Sequence, residues 1–365
     1  MSKPPIRVLS LFDGISCARQ ALHDLGIPVS MYYASEVDKY AMQISRQRWP
    51  EIVQLGDVRI INTPMLLTRN IDLLIGGSPC QDLSIVGKRK GLDGERSGLF
   101  WEYIRVLREV QPTYFVLENV ASMNTASRDI ISKELGVEPI MIDAALVSGQ
   151  RRKRLFWTNI PGVTQPTDKG IMLRDILEPV VDDKYIYRGK VNNASQGTRV
   201  YDIEGKSAML SAFGGGAGAK TGLYTIPRGF NKGGIRASDK APTITTSRFD
   251  QNNMVVIPID KDGNEKLKSN TLRTSGMGSG VDDKHNWDAV RVTDDGQRYI
   301  IRRLTPTECE RLQSLPDGYT AYGKLADGQH TWISDTQRCK ALGNGFNADV
   351  ISHILSFMPN DREVL

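Results

Sequence analysis

Between Arg7 and Asn159, short apolar runs alternate with segments whose apolar residues recur at helical spacing. Gly, Pro or polar residues bound each run, as is typical of buried strands. The predicted strands are Val8 to Phe12, Val29 to Ala34, Ile71 to Ile75 and Tyr114 to Leu117, and the first two predicted helices are Cys17 to Leu25 and Asp38 to Trp49. This alternation predicts an α/β fold with a doubly wound, mostly parallel sheet, whose ligands lie at the carboxyl ends of the strands.

The pattern changes after about Glu178, where helical periodicity fades and Gly, Ser, Thr and Asn become common. Three segments share a lysine, a small residue and a polar/apolar alternation, and a β-type run follows each. The segments are Lys206 to Ser211, Lys240 to Thr245 and Lys268 to Arg273, and the runs are Gly222 to Pro227, Met254 to Pro258 and Ala289 to Val292. We predict a second, mostly β domain of quasi-repeated hairpins, although ordinary hairpins with shared turn chemistry would give the same pattern. Apolar residues at helical spacing return past Arg303, and the last predicted helix runs from Ala348 to Met358.

Composition places the chain among ordinary globular proteins and excludes a disordered one. It has 365 residues, enough for about two domains, with 40% hydrophobic and 24% charged residues. The net charge of +5 suits a polyanionic partner without proving one. Four scattered cysteines and four histidines predict neither a disulfide framework nor a metal site. With no signal-peptide core and no apolar run of about twenty residues, we expect a protein that stays inside the cell and off the membrane.

The loop after the first predicted strand does not suit a pyrophosphate. A pyrophosphate loop needs GxGxxG for close backbone approach, whereas only Gly14 is present and Asp13 beside it would repel phosphate. Glu36 follows the second predicted strand, where an acidic side chain commonly binds ribose hydroxyls, and Asp57-Val58 suit an adenine ring. A nucleoside with a positive, phosphate-free tail fits this set, and S-adenosylmethionine is such a molecule. The alternative is that Asp13 and Glu36 only cap helices.

Cys80 is the candidate nucleophile. It lies in Gly76 to Ser84, just beyond a predicted strand and after a turn fixed by proline, so it is presented at the carboxyl edge of the sheet. A helix that begins nearby would lower the pKa of its thiol and make it more reactive. Cys17, Cys309 and Cys339 lack this setting, and we expect them to be inert core residues.

Two further groups follow neighbouring elements. Glu118 closes the fourth predicted strand among apolar neighbours, which favour a protonated carboxyl. A basic cluster, Gln150 to Arg154, precedes the apolar run Leu155 to Trp157. Such clusters are usually solvated edges, but Arg152 and Arg154 alternate in phase and can point into one site.

These motifs, in this order, resemble those of the DNA cytosine-5 methyltransferase family over nearly the whole chain. The matching pieces are Asp13-Gly14, Glu36, Asp57-Val58, Gly77-Ser78-Pro79-Cys80, Glu118-Asn119-Val120, Gln150-Arg151-Arg152-Lys153-Arg154, Arg303-Leu304-Thr305-Pro306 with Glu308 and Arg311-Leu312-Gln313, and Ala341-Leu342-Gly343-Asn344-Gly345. The N-terminal half is most similar to the de novo branch, and the tail to phage and bacterial members. The resemblance implies a Rossmann-like S-adenosylmethionine-dependent methyltransferase domain, residues 1–185 completed by 330–365, and a smaller, mostly β target-recognition domain, residues 186–329.

The resemblance also implies a role for each catalytic residue, with no metal. The residue matching Cys80 adds to C6 of cytosine, and C5 then takes the methyl group. The match of Glu118 hydrogen-bonds or protonates N3, the match of Arg154 holds the carbonyl oxygen, and Arg152 supports these groups. The implied cofactor contacts are Phe12, Asp13, Gly14, Ser16, Glu36, Val37, Asp57, Val58, Pro79, Asn344 and Gly345.

Two departures from the family pattern concern the cofactor pocket. Gly345-Phe346 replaces the more usual Ser or Val after Asn344, and the loop Ile15 to Cys17 lacks the commoner second glycine. We therefore expect altered contacts at the methionine end of the cofactor.

A base inside a duplex cannot reach Cys80, so the implied partner, double-stranded DNA, must have its target cytosine flipped out. The basic, glycine-containing segment Gln81 to Gly98 suits a loop that closes over DNA, although an ordinary surface loop would look similar. The implied DNA contacts are Gln81, Ser84, Lys88, Arg89, Arg228, Arg248 and Arg273, with Lys206, Lys220 and Lys240 as further candidates. Each of the recognition-domain residues alone could equally be a solvated surface charge.

The first interpretation is thus an enzyme that methylates a short specific DNA sequence, in restriction-modification or phage self-protection. We expect a monomer in the cytoplasm of a bacterial or phage-infected cell, with a possible cognate restriction endonuclease. One alternative is an RNA cytosine-5 methyltransferase, since one branch of the family methylates tRNA, typically with a reduced second domain. Another is a catalytically inactive DNA-binding regulator, against which the intact Cys80, Glu118 and Arg154 argue.

Overall fold

A computed structural model describes residues 4–67, 70–78, 99–178 and 304–359, except for the side chains of Met65 and Leu67. Between residues 199 and 303 it describes the backbone of the strands alone. Several predicted features lie outside these residues: Pro79, Cys80, the segment from Gln81 to Gly98 with Ser84, Lys88 and Arg89, the segment from Lys268 to Arg273, and Lys220, Arg228 and Arg248.

The first half of the chain forms a mixed, mostly parallel sheet. The strands in this part of the chain are β1 (Ile6–Leu11), β2 (Val29–Ser35), β3 (Val53–Gln54), β4 (Leu73–Gly77), β5 (Tyr114–Val120), β6 (Ile140–Asp143), β7 (Gln150–Arg151) and β8 (Lys153–Thr158). All of them except β7 belong to this sheet. The sheet has the order β3-β2-β1-β4-β5-β8-β6. Neighbouring strands are parallel except that β8 runs antiparallel to both β5 and β6. The predicted mostly parallel sheet is confirmed.

Helices cover both faces of this sheet. They are α1 (Cys17–Asp24), α2 (Lys39–Arg48), α3 (Thr63–Leu67), α4 (Leu99–Val110), α5 (Thr125–Leu135), α6 (Pro306–Leu312), α7 (Asp335–Asn344) and α8 (Ala348–Ser356). Successive strand residues point to opposite faces, so Val8 packs in one core with α1, α2 and α6 to α8, while Leu9 packs in a second core with α3, α4 and α5. None of the helices that the structure describes has the length and apolar character that a membrane crossing requires.

The predicted elements of the first half are present, with ends displaced by local chemistry. Asp38, predicted as the first residue of a helix, is instead the N-cap of α2, and its carboxylate accepts the N–H groups of Tyr40 and Ala41. The first strand stops at Leu11 because Phe12 adopts a positive φ of 56°. The last predicted helix also ends earlier than expected, at Ser356.

The strands between residues 199 and 303 form two further sheets. They are β9 (Arg199–Asp202), β10 (Lys206–Ser211), β11 (Tyr224–Thr225), β12 (Gly234–Ile235), β13 (Lys240–Thr245), β14 (Met254–Ile259), β15 (Ala289–Val292) and β16 (Arg298–Arg303). One sheet has the order β12-β11-β9-β14-β16-β15, and the other is β13-β10-β7. The two similar segments that are described, β10 and β13, lie side by side in parallel with Lys206 opposite Lys240. They are therefore not two arms of a hairpin, and neither pairs with the β-type run that follows it, β11 or β14. The strand β15 pairs antiparallel with β16, which lies outside the predicted repeat.

After β16 the chain returns to the first core. Leu304, Leu312 and Tyr319 pack with residues of β1 and α1, and a short hairpin of β17 (Tyr322–Lys324) and β18 (His330–Trp332) follows. The return of the chain therefore begins near residue 304, because apolar side chains are buried in the first core from there on. The division into catalytic and target-recognition domains, with its limit at residue 329, stays a prediction.

Replacing a buried leucine of this returning segment should destabilise the whole core. Leu342 in α7 is fully buried, and we expect Leu342→Ala to lower the free energy of unfolding by about 2–5 kcal/mol, through lost burial and the cavity left behind. Urea unfolding followed by tryptophan fluorescence measures the change. Ile60→Ala, at a position 76% exposed, is the control and should change it by less than about 0.5 kcal/mol. An unchanged transition in Leu342→Ala would mean that this segment lies outside the cooperative core.

Candidate active site

The strands β4 and β5 end side by side at the carboxyl edge of the sheet. Gly77 is in register with Glu118, and the next residues are held together by the buried Asn119, whose Nδ2 donates to Ser78 Oγ over 3.1 Å. Ser78 directly precedes Pro79-Cys80 in the chain. The backbone that leads to the predicted nucleophile therefore begins next to Glu118.

Glu118 is paired with Arg154 across the β5–β8 ladder. Val120 lies opposite Arg154 and Glu118 opposite Phe156, so all four side chains share one face of the sheet. Arg154 Nε lies 2.6 Å from Glu118 Oε1, and the side chains are only 9% and 12% exposed. Glu118 was expected to have apolar neighbours, and Arg154 was expected to point into the same site; the antiparallel course of β8 places its guanidinium directly beside the carboxylate.

Arg152 points the same way as Arg154 but bonds to backbone. Its Nη1 and Nη2 donate to the carbonyl oxygens of Gly343 and Gly345, over 3.3 and 2.9 Å, at the C-terminal end of α7. Such a cation complements the partial negative charge of a helix C-terminus. Both arginines line one cleft with Glu118 and Phe346, as their alternation predicted. The contacts of Arg152 assign it to holding this turn.

The loop after β1 is tied to the end of β2 by Glu36. Glu36 Oε2 accepts the N–H of Gly14 over 2.8 Å, and Oε1 accepts the N–H groups of Val37 and Asp38, each over 2.7 Å. Burial raises the pKa of Glu36, although these backbone bonds lower it. Glu36 therefore holds the turn before α2, whose N-cap is Asp38, and joins the two loops predicted to bind the cofactor.

Asp13 and Ser16, both predicted cofactor contacts, turn their side chains into the core. Asp13 accepts hydrogen bonds from Ser16 Oγ and from Tyr32 Oη, the latter over 2.7 Å, and Ser16 also contacts Ser45 Oγ. Burial raises the pKa of Asp13 to about 6, against the lowering effect of the hydroxyl groups. Both side chains are buried and hydrogen-bonded to each other, so they shape the loop from the side of the core.

The remaining predicted cofactor residues lie around the same loops. Val37 is exposed and Val58 is buried, while Phe12 is partly buried. Asp57 forms an ion pair with Arg59, which lowers the pKa of its carboxyl. An adenine amino group would therefore share this carboxylate with a guanidinium.

The chain's C-terminal part meets the first loop at Gly345. A Cβ built on Gly345 would lie 3.0 Å from Cys17 Sγ and 3.6 Å from Ile15 Cγ1, so Asn344, which is exposed, lies beside the loop. Burial raises the pKa of the Cys17 thiol to about 12. Cys17, Cys309 and Cys339 are buried as predicted. The described residues contain no group of three or more His, Cys, Asp or Glu side chains that could hold a metal ion.

A sequence model described as C-5 cytosine-specific DNA methylase matches residues 6–359. The chain belongs to this family. It is therefore an enzyme of the DNA cytosine-5 methyltransferase class. Over 96% of each chain it is 26% identical to the orphan methyltransferase M.SPRI of Bacillus phage SPR. Over 60% of this chain and 78% of the relative, it is 28% identical to the type II methyltransferase M.HhaI of Haemophilus parahaemolyticus.

Solved structures with this fold include a DNMT2 mutant of Spodoptera frugiperda and the Dnmt2 methyltransferase of S. pombe. The first has a TM-score of 0.60 at 17% identity, with 96% of this chain and 99% of that chain covered. The second has a TM-score of 0.56 at 16% identity, with 96% and 97% covered. At these identities the likeness concerns the fold alone, and it agrees with the Rossmann-like methyltransferase architecture expected from the sequence.

The sequence analysis did not identify three polar side chains that support the site through hydrogen bonds, those of Gln150, Gln313 and Asn119. Gln150 Nε2 donates to Leu312 O and to Gln313 Oε1, and Gln313 Nε2 in turn donates to Leu342 O. Asn119 positions Ser78 in a similar way. These polar residues lie in the same motifs as Arg152, Arg311 and Glu118. Their position next to these charged residues is the sequence feature that could have identified them.

The buried carboxyl of Asp13 should make the stability of the methyltransferase depend on pH. Its folded pKa of about 6 exceeds the ordinary value of 3.8, so the folded state binds more protons between these values, and stability falls as pH rises through 6. The full effect is about 3 kcal/mol. We expect Asp13→Asn to flatten this part of the pH dependence, measured by urea unfolding at pH 5 and pH 7.5. Parallel pH dependences in the variant and the wild type would contradict the assignment.

Proposed function

We propose that this enzyme flips a cytosine out of duplex DNA at a short specific sequence. It then methylates C5 through a covalent bond between Cys80 and C6. The observation that carries the proposal is the buried Glu118–Arg154 pair, beside the strand that leads to Cys80, in a chain of the cytosine-specific family.

The pair supplies complementary groups for a cytosine edge. Glu118 Oε1 faces Arg154, while Oε2 lies on the Gly77 side, 2.9 Å from where a Cβ on Gly77 would stand. A base inserted here would meet a carboxyl group that can accept from its amino group and supply a proton to N3, and a guanidinium that donates to its carbonyl oxygen. Because the site is largely closed to water, these groups would stabilise the charge that develops when a nucleophile attacks C6.

Cys80 is the proposed nucleophile. Its thiolate would add to C6, which makes C5 nucleophilic enough to take the methyl group. Loss of the C5 proton would then expel the thiolate and restore the aromatic ring. Cys17, Cys309 and Cys339 are buried, so none of them is a competing nucleophile. A base within a stacked duplex is out of reach, so the cytosine must be flipped. Gln81, Ser84, Lys88 and Arg89 are proposed to touch the DNA beside it.

The loops after β1 and β2 are proposed to bind S-adenosylmethionine, which supplies an electrophilic methyl group. Glu36 presents a carboxylate for ribose hydroxyls, and Val37, Val58 and Phe12 offer apolar surface beside it. Asn344 and Gly345 reach the same loop from α7. The residues present fit a nucleoside without phosphates, because the loop contains one glycine and an acidic residue in place of a phosphate-binding GxGxxG.

The domain division and the biological role complete the proposal. Residues 1–185 with the returning segment would form the catalytic domain. The strands of the intervening segment, with Arg228, Arg248 and Arg273, would read the target. Relatives named as a phage orphan methyltransferase and as a type II methyltransferase support a role in phage self-protection or in restriction-modification, the latter with a cognate endonuclease. We further propose that the enzyme acts as a monomer in the cytoplasm.

Covalent trapping tests the mechanism. We expect a random-sequence duplex containing 5-fluorocytosine, with S-adenosylmethionine, to form an adduct stable to denaturation, because fluorine at C5 cannot leave as the proton does. Cys80→Ser should form none, and Cys309→Ala, which changes a buried cysteine, should form the wild-type amount. An adduct in Cys80→Ser, or none in the wild type, would refute the mechanism. A matched tRNA that contains 5-fluorocytosine tests the RNA alternative, which predicts an adduct with the tRNA and none with the duplex. The long segment between β8 and α6 argues against this alternative, because the tRNA branch typically has a reduced second domain.

Glu36→Gln tests the cofactor site. Removing the charge from a carboxylate that accepts hydroxyl hydrogen bonds costs about 1.5–3 kcal/mol, so we expect the Kd for S-adenosylmethionine to rise about 10- to 100-fold. Isothermal titration calorimetry measures it. Glu102→Gln, which removes an α4 carboxylate paired with Arg105, is the matched control and should bind as the wild type does. Equal affinity in Glu36→Gln would place the ribose elsewhere.

A further inference from the structure

Phe346 sits in a short connection between α7 and α8 whose backbone is held on both sides. On one side, Gly345 O accepts Arg152 Nη2 over 2.9 Å. On the other side, Asn347 caps α8 by accepting the N–H of Val350 over 3.1 Å, and its Nδ2 donates to Leu312 O over 3.0 Å. The position of the ring is therefore set by the surrounding core.

The ring of Phe346 lies over the end of β4, beside the carboxylate of Glu118. A Cβ built on Gly77 would lie 2.9 Å from Phe346 Cε1 and 2.9 Å from Glu118 Oε2. Both groups therefore occupy the space that a side chain at position 77 would need, and both line the small cavity that Arg154 also lines. Real Cβ atoms essentially never approach other atoms so closely, so Gly77 is required if the ring and the carboxylate are to stay in place.

A glutamate carboxylate needs such a neighbour, because its terminal torsion is broad and fixes no orientation by itself. Arg154 holds Oε1 of Glu118, and among the described residues it is the Phe346 ring that shares the space over Gly77 with Oε2. An aromatic ring there also excludes water, which strengthens the electrostatic interaction of the pair.

We propose that Phe346 is a positioning residue for methyl transfer: its ring, seated on Gly77, orients the Glu118 carboxylate and shields the Glu118–Arg154 pair. The inference rests on the proposed catalytic role of Glu118. Phe346 acts through that carboxylate and is itself no catalytic residue.

The test compares Phe346→Leu, Gly77→Ala and the double variant in methyl transfer to duplex DNA, with S-adenosylmethionine saturating. Leucine lacks the ring atoms that face Gly77, and we expect kcat to fall about 10- to 100-fold while the KM for S-adenosylmethionine stays within about twofold. Gly77→Ala should lower kcat at least as much, since its Cβ collides with ring and carboxylate. In the double variant the ring atoms are gone, so the loss should be smaller than the product of the two single losses.

Phe357→Leu, at an aromatic residue that follows α8 and packs on His353, is the matched control and should retain the wild-type kcat. Thermal unfolding shows which variants are folded, and if Phe346→Leu is not, Phe346→Met is judged by the same criteria. A folded Phe346 variant with the wild-type kcat would overturn the inference, and so would a double variant whose loss equals the product of the two single losses. In either case, methyl transfer to DNA by the wild type would leave the proposed function standing. A wild type without methyl transfer to DNA would overturn both.

Discussion

An ion pair that is largely withdrawn from water occupies the carboxyl edge of the sheet, between Glu118 and Arg154. Burying two charges is costly, and the cost is recovered only when geometry and surrounding hydrogen bonds are good, so losing either partner leaves an uncompensated charge. The direction of β8 makes the pair possible. An antiparallel strand begins where its parallel neighbours end, so the basic residues at its start arrive beside the end of β5. A parallel strand would have carried them to the opposite edge.

The loop proposed to bind the cofactor has backbone held in unusual conformations. Phe12, Gly14 and Ser16 all have positive φ, which costs energy for residues other than glycine. Asp13 and Glu36 offset this cost with hydrogen bonds to the loop and its neighbours. Acidic side chains that look like ligand contacts in the sequence thus serve first to shape the loop.

The turn after α7 joins the two halves. Arg152 reaches from β8 to its carbonyl groups, Cys17 of the cofactor loop packs against it, and Phe346 extends from it to the end of β4. Binding at the cofactor loop and geometry at the cytosine site therefore share one short piece of backbone.

The sequence alone determined the alternation of strands and helices, the carboxyl edge as the site, and the phase that aims Arg152 and Arg154 into one cleft. Each follows from local period and chain order, which a single sequence displays. It could not reveal the antiparallel course of β8, the inward turn of Asp13 and Ser16, the parallel pairing of β10 with β13, or the seat of Phe346 on Gly77. Those depend on contacts between residues far apart in the chain, and only packing of the whole fold decides which distant partners meet.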